Sequence, residues 1–128
     1  MKTFIPMLII FLAVGALCVW DGIFTQKVFD KMENETSEIY TTILTTDALD
    51  ENLKQRIDNL NDYWMKNMDI LAISISRKDM QPVSDYLQYL YASVINDSKD
   101  DALTYSRLLA YNVEGLSEST GITALNLL

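Results

Sequence analysis

The chain has 128 residues, enough for one domain, with 18 acidic and 10 basic side chains and a formal net charge of −8. It has no histidine and one cysteine, Cys18, which excludes an intramolecular disulfide, the common zinc sites and catalysis by histidine. Because Lys2 is the only charged side chain before Trp20, the remainder carries about −9. This charge disfavours nucleic acid as a partner, and we expect neither an enzyme nor a bound cofactor.

The N-terminal stretch from Phe4 to Trp20 contains no charged side chain. As a helix it is about 25 Å long, and about 31 Å with Ile23 and Phe24 included, which is enough to cross the hydrocarbon core of a bilayer. We predict a transmembrane signal anchor over residues 1–24, with Trp20 at the interfacial depth that indole rings prefer. The predicted anchor residues are Phe4, Leu8, Phe11, Leu12, Leu17 and Trp20.

Two alternatives compete with a retained anchor. A lipoprotein signal needs small residues before the modified cysteine, whereas Leu17 precedes Cys18. A cleaved secretory signal has a small-x-small site at residues 13–15, but the apolar run continues past it. We therefore favour a retained anchor. Its short N-terminal tail and long acidic remainder favour a single-pass protein of the cell membrane, with a cytoplasmic N-terminus and an extracytoplasmic domain over residues 25–128.

The segment that follows the anchor has apolar residues near one helical face, namely Val28, Met32, Ile39, Ile43 and Leu44. This pattern predicts an amphipathic helix continuous with the anchor. Such a helix is either one member of a bundle or a dimerising coiled coil, and the bundle is favoured because the periodic stretch is shorter than three heptads.

Three further amphipathic helices are predicted. The second begins after residues 45–47 and runs to about Ile75, with a stripe of Leu49, Leu53, Ile57, Leu60, Trp64, Met68 and Leu71. The third begins near Arg77 after a capping Ser76, has Pro82 in its first turn, and carries a stripe of Met80, Val83, Leu87, Leu90 and Val94.

The fourth helix is predicted to begin after the Asn96-Asp97 turn and to end near Gly115, with residues 117–121 as a loop. Its apolar residues are Ala102, Tyr105, Leu108, Leu109, Val113 and Leu116. Short connections favour antiparallel neighbours. The predicted fold class is therefore all-α, with an N-terminal transmembrane helix that continues into an up-and-down bundle of about four helices.

Two clusters could carry chemistry, but each has a simpler structural explanation. Asp97, Asp100 and Asp101 are the densest acidic group, and acids at the start of a helix stabilise its dipole more often than they bind metal. Trp64, with its neighbours Tyr63, Met65 and Met68, could line a ligand site, but Trp64 and Met68 belong to an apolar stripe that predicts core packing.

Partner-binding residues are expected where aromatic side chains border the apolar stripes, since tyrosine is enriched where burial is incomplete. These candidates are Tyr86, Tyr89, Tyr91, Tyr105 and Tyr111. A second candidate is the apolar C-terminus, which must dock on something to avoid fraying. It comprises Leu125, Leu127 and Leu128.

The chain resembles the DUF4363 family, small bacterial membrane-anchored helical proteins of unknown function. The resemblance rests on the length, the single N-terminal span, the segment Leu60-Asn61-Asp62-Tyr63-Trp64, the following helix pair and the closing Leu125-Asn126-Leu127-Leu128. Many relatives have an acidic, histidine-containing turn where this chain reads Ser76-Arg77-Lys78-Asp79. The resemblance implies an accessory role beside a YetF-like multi-span membrane protein, because genes of the two families are often adjacent.

Two functions from different classes follow from these observations. The first is a non-enzymatic, membrane-anchored accessory protein that contacts the bilayer through its N-terminal helix and binds another membrane or envelope protein through its bundle. The alternative is a ligand-sensing bundle that signals through a partner. A hydrolase based on carboxylates is a distant third, and a homo-oligomer is compatible with the first two.

Overall fold

The computed structural model describes the backbone of residues 4–127 and the side chains of residues 4–119. This part of the chain forms four helices, α1 (Phe4–Thr45), α2 (Glu51–Leu71), α3 (Arg77–Ile95) and α4 (Lys99–Leu127). Helix α1 runs without interruption from the apolar segment into the bundle. The prediction of an all-α fold, in which a long apolar N-terminal helix continues into a four-helix bundle, is therefore confirmed for the described residues.

The four helices pack as an up-and-down bundle in which α1 and α3 each contact both α2 and α4. The contacts of α4 with α1 and α3 are more extensive than those of α2 with the same two helices. Its buried contact positions include Ala102 and Ser106, and α3 presents the buried Ser93. Small side chains at such positions allow two helix backbones to approach, which explains the close packing of α4.

The core is built from one apolar stripe of each helix. On α2 and α3 the observed stripes agree with the predicted ones, except that Leu49 precedes α2 and is only half-buried. On α1 the prediction was less accurate, because Leu44 is 49% exposed near the helix end, whereas Phe29 is fully buried. Thr36 is also buried, and its hydroxyl donates a 2.6 Å hydrogen bond to the Met32 carbonyl of its own helix.

Trp64 lies at the centre of this core and is fully buried. Its indole Nε1–H donates a 2.9 Å hydrogen bond to Ser84 Oγ on α3, and its ring centroid lies 6.4 Å from that of Phe29 on α1. One side chain thus joins three helices, and its single polar group is satisfied inside the core. The prediction that Trp64 packs in the core is confirmed.

The end of α2 and the start of α3 differ in part from the prediction. Helix α2 ends at Leu71 rather than Ile75, and the chain then tightens into a turn in which the Ile73 and Ser74 amides donate to carbonyls three residues back, at 3.2 and 3.0 Å. Leu71 is the last fully buried residue of the stripe. Ala72 and Ile75 beyond it are only partly buried against the core, so a longer α2 would gain less from packing.

Helix α3 begins at Arg77 as predicted, with Ser76 Oγ accepting from the Lys78 amide at 3.3 Å. Pro82, however, is in the second turn of α3, not the first. The Lys78 carbonyl therefore lacks its helical donor, and Lys78 is an exposed residue.

The last helix is longer than predicted, because α4 continues through Gly115 and residues 117–121 to Leu127. Gly115 has no positive φ angle and therefore does not form a left-handed cap. Beyond it, Leu116 is half-buried against the core, and Ser117 hydrogen-bonds to Glu33 on α1. Packing on α1 thus outweighs the weak helix propensity of one glycine.

Two polar contacts fix the opposite ends of the bundle. At one end, Lys99 Nζ donates a 2.9 Å hydrogen bond to the Thr46 carbonyl, joining the start of α4 to the end of α1. Asp97, just after the end of α3, lies in the left-handed region (φ 54°). The Asp97 and Ser98 amides donate to the Val94 and Ser93 carbonyls, as is typical of a helix C-terminus. At the other end, Ser74 Oγ donates to the Asp21 carboxylate, which places the α2–α3 turn beside the apolar segment of α1.

The continuation of α4 generates a stability prediction. A Cβ at position 115 would meet no atom within 4 Å, so Gly115→Ala should raise the free energy of unfolding by about 0.5–1 kcal/mol. Chemical denaturation measures this change. Ala110→Gly in the same helix is the matched control and should lower stability by a similar amount, whereas destabilisation by Gly115→Ala would mean that α4 ends at Gly115.

Candidate functional site

The apolar segment of α1, residues 4–20, projects from the bundle. All residues of this segment are exposed, and the buried part of α1 begins at Thr25. None of the most apolar window is buried. The six predicted anchor residues are between 45% and 76% exposed. The segment belongs to the one helix in the described residues that is long and apolar enough to cross a membrane.

The change from exposed to buried occurs within about one turn of α1. Trp20 is 56% exposed, whereas Thr25, Val28 and Phe29 are buried. The Trp20 and Phe24 rings stack between these regions, with centroids 5.4 Å apart and an interplanar angle of 18°. An indole at such a boundary has the amphipathic character typical of membrane–water interfaces.

The structure brings together three of the five predicted partner-binding tyrosines. The Tyr89 ring lies 6.2 Å from that of Tyr86, edge to face, and 5.4 Å from that of Tyr105 on α4. Tyr89 is half exposed, and the other two are partly buried against the core. We call Tyr86, Tyr89 and Tyr105 the tyrosine cluster; it covers the seam between α3 and α4.

The other two tyrosines lie outside this cluster. Tyr91 is 37% exposed on another face of α3. Tyr111 is 76% exposed on α4, one turn beyond Leu108, which was predicted as a core residue but is 36% exposed. Leu125 and Leu127 belong to the last turns of α4, where side chains lie outside the described part, and Leu128 lies outside the described residues.

A shallow groove of about 250 Å³ lies between α1 and α4, next to this exposed part of α4. Its lining residues are Tyr40, Leu103, Thr104, Arg107 and Leu108. The groove could not be predicted from the sequence, because it depends on which face of α4 meets α1. With Tyr111, it gives the outer side of α4 an apolar and aromatic character that is typical of protein-binding surfaces.

Charges hold α1 and α2 in register on the side away from α4. Arg56 on α2 forms ion pairs with Glu35, at 3.5 Å, and with Glu38 on α1. The Lys31 ammonium lies 4.3 Å from the Tyr63 ring centroid, a cation–π contact. These groups are partly exposed, so they contribute more to alignment than to stability.

The contact between α1 and α4 instead brings acidic groups together. Partial burial raises the pKa of Glu33, and the nearby Asp30, Glu114 and Glu118 raise it further, while a hydrogen bond with Ser117 opposes the shift. The deprotonated form of Glu33 is thus disfavoured in the folded protein. Among the side chains that the structure describes, no three His, Cys, Asp or Glu residues are arranged to hold a metal ion.

Comparison of the chain with family models, curated proteins and solved structures gives no match. The resemblance to the DUF4363 family therefore remains a prediction, as do the accessory role and the multi-span partner that it implies.

The pKa shift of Glu33 generates a prediction about pH. Because the folded-state pKa is raised above 4.5, the protonated form stabilises the fold below that pH, and this stabilisation is lost as the pH rises through the folded-state pKa. Glu33→Gln removes the charge and retains a hydrogen-bond acceptor for Ser117. The variant should therefore melt at a higher temperature than the natural protein at pH 7, with a smaller difference at pH 4.5.

Asp58→Asn, on the exposed face of α2, is the control for a general reduction of negative charge. Thermal melts of the three proteins at both pH values make the comparison. Equal gains for Glu33→Gln and Asp58→Asn at pH 7 would contradict a specific strain at Glu33.

Proposed function

We propose that this protein is a non-enzymatic, membrane-anchored accessory protein whose helical bundle binds another membrane or envelope protein. The observation that carries the proposal is the continuity of α1, in which an exposed apolar segment passes without a break into the core of a folded bundle. A long apolar surface that is fully exposed in water is unfavourable. Insertion of residues 4–24 into a bilayer removes it from water.

Anchoring through a continuous helix restricts the bundle to a narrow range of heights and tilts relative to the membrane. A flexible linker would let the bundle reach distant soluble partners, whereas a rigid helix suits a partner in the same membrane. By the resemblance, that partner is a YetF-like multi-span protein. The proposed topology has a cytoplasmic N-terminus and an extracytoplasmic bundle.

The outer side of α4 is the best-supported surface for this partner. Tyr111 and Leu108 are exposed there beside the groove, and aromatic residues that are exposed in the free protein often anchor protein interfaces. The groove is smaller than the roughly 300–1,000 Å³ of typical small-molecule pockets. This favours contact with a protein over the ligand-sensing alternative.

The test is purification of the tagged, full-length protein from its native membrane in mild detergent. We expect a multi-span membrane protein to co-purify in stoichiometric amount. Tyr111→Ser should lower its recovery by roughly tenfold, as for the loss of an interface anchor, without a change in thermal stability.

Met65→Ser is the matched control, because Met65 is 52% exposed on α2, the helix diagonally opposite α4, and it should leave recovery unchanged. Purification of the protein only as a lone monomer would overturn the proposed function. Equal recovery with Tyr111→Ser and Met65→Ser would instead exclude the outer side of α4 as the binding surface.

A further inference from the structure

The turn between α2 and α3, residues 72–76, has an unusual composition for a surface connection. It reads Ala-Ile-Ser-Ile-Ser, in which the two serines are ordinary turn residues but the two isoleucines are not. Ala72 and Ile75 are partly buried and pack against the core. Ile73 does not: at 81% it is the most exposed large apolar side chain among the described residues.

The position of this turn is fixed relative to α1. Ser74, next to Ile73, donates its hydroxyl hydrogen bond to the carboxylate of Asp21. Asp21 directly follows Trp20, at the point where the exposed apolar segment ends. The exposed Ile73 therefore lies at the same level along α1 as Trp20 and Ile23, which are 56% and 59% exposed.

Two basic residues follow the turn, at the N-terminus of α3, although the helix dipole disfavours positive charge there. Arg77 and Lys78 occupy the first two positions of α3 and are exposed. Asp69 pairs with Arg77 at 2.8 Å, and Asp79 lies in the same first turn. At the far end of the bundle, by contrast, α2 and α4 begin with Glu51, Asp100 and Asp101.

We propose that the α2–α3 turn is a second membrane contact, in which Ile73 inserts into the interfacial layer of the bilayer that α1 crosses. Arg77 and Lys78 then lie at the depth of the lipid phosphates, whose oxygens can accept hydrogen bonds from the two basic side chains. The occupant is lipid rather than protein, because the turn adjoins the end of the apolar segment and shares its level. This inference rests on the proposed anchoring of α1.

Together, the helix and the turn give the bundle two points of attachment. A single continuous helix limits the height and tilt of the bundle but leaves it free to rotate about the helix axis. A second contact on one side of that axis selects one face of the bundle to lie toward the membrane. The outer side of α4 is then presented in a defined direction to neighbouring membrane proteins.

The test is the depth of a label in the full-length protein reconstituted into phosphatidylcholine–phosphatidylglycerol vesicles. In a Cys18→Ser background, single cysteines are placed at position 73, at position 12 in the apolar segment and at position 44 at the far end of the bundle. Each carries an environment-sensitive fluorophore, and quenching is measured with lipids that bear nitroxides near the headgroup or deep in the acyl chain.

We expect the label at position 73 to be quenched by headgroup nitroxides at least about twofold more strongly than the label at position 44, as for an interfacial group. The label at position 12 should be quenched by the deep nitroxides. Quenching at position 12 with none at position 73 would overturn the second contact and leave the anchor intact. Absence of quenching at position 12 would overturn the proposed anchoring itself.

Circular dichroism of each labelled protein is the folding control. Because positions 12, 44 and 73 are all exposed, labelling is expected to preserve the helical signal.

Discussion

Between Trp20 and Thr25, the side chains of helix α1 change from exposed to buried against the other helices. The arrangement of those helices depends on this change. Before it, apolar side chains face outward on all sides; after it, they face α2 and α4. Apolar surface that faces outward is stable in lipid and unfavourable in water, whereas the following part of the helix is stabilised by burial within the protein. One continuous helix thus joins a segment that is stable in lipid to a segment that is stable within the protein core.

The other three helices, α2, α3 and α4, form with the second part of α1 the core of the bundle. Trp64 joins α1, α2 and α3 through one ring contact and one hydrogen bond, and α4 closes the bundle with small buried residues. The α2–α3 turn returns the chain to the level of Asp21. If the apolar segment crosses a bilayer, as proposed, this turn is the part of the bundle that lies beside the lipid, and the far end that carries Lys99 and Thr46 points away from it.

The helices of this fold could be predicted because their apolar residues recur at helical spacing and because Ser76 caps the start of α3. The end of α4 could not, since Gly115 resembles a stop signal and only the packing of Leu116 and Ser117 against α1 shows that the helix continues. The same limit applies to surfaces. Five tyrosines could be selected by their positions beside the apolar stripes. Which of them meet depends on the rotation of α3 and α4 about their axes, a tertiary property that spacing along the chain does not contain.

The two candidate membrane contacts illustrate most clearly the difference between a local property of the sequence and a tertiary one. The apolar segment of α1 is a local property, visible as an uncharged run of residues. The exposure of Ile73 and its alignment with Trp20 depend instead on a hydrogen bond between residues 53 positions apart. The sequence predicts that α2 continues to about Ile75, because periodicity alone does not show where the partner helices end.

The central claim is that the apolar segment and the first bundle helix form one rigid rod in the membrane. It is tested most directly by electron–electron distance measurement between nitroxide labels at positions 12 and 41 of the full-length, Cys18→Ser protein in lipid nanodiscs. These exposed positions are 29 residues apart on nearly the same helical face, so an unbroken helix predicts a narrow distribution centred at about 44 Å. A broad distribution centred well below that distance would show a hinge between anchor and bundle and would contradict the account.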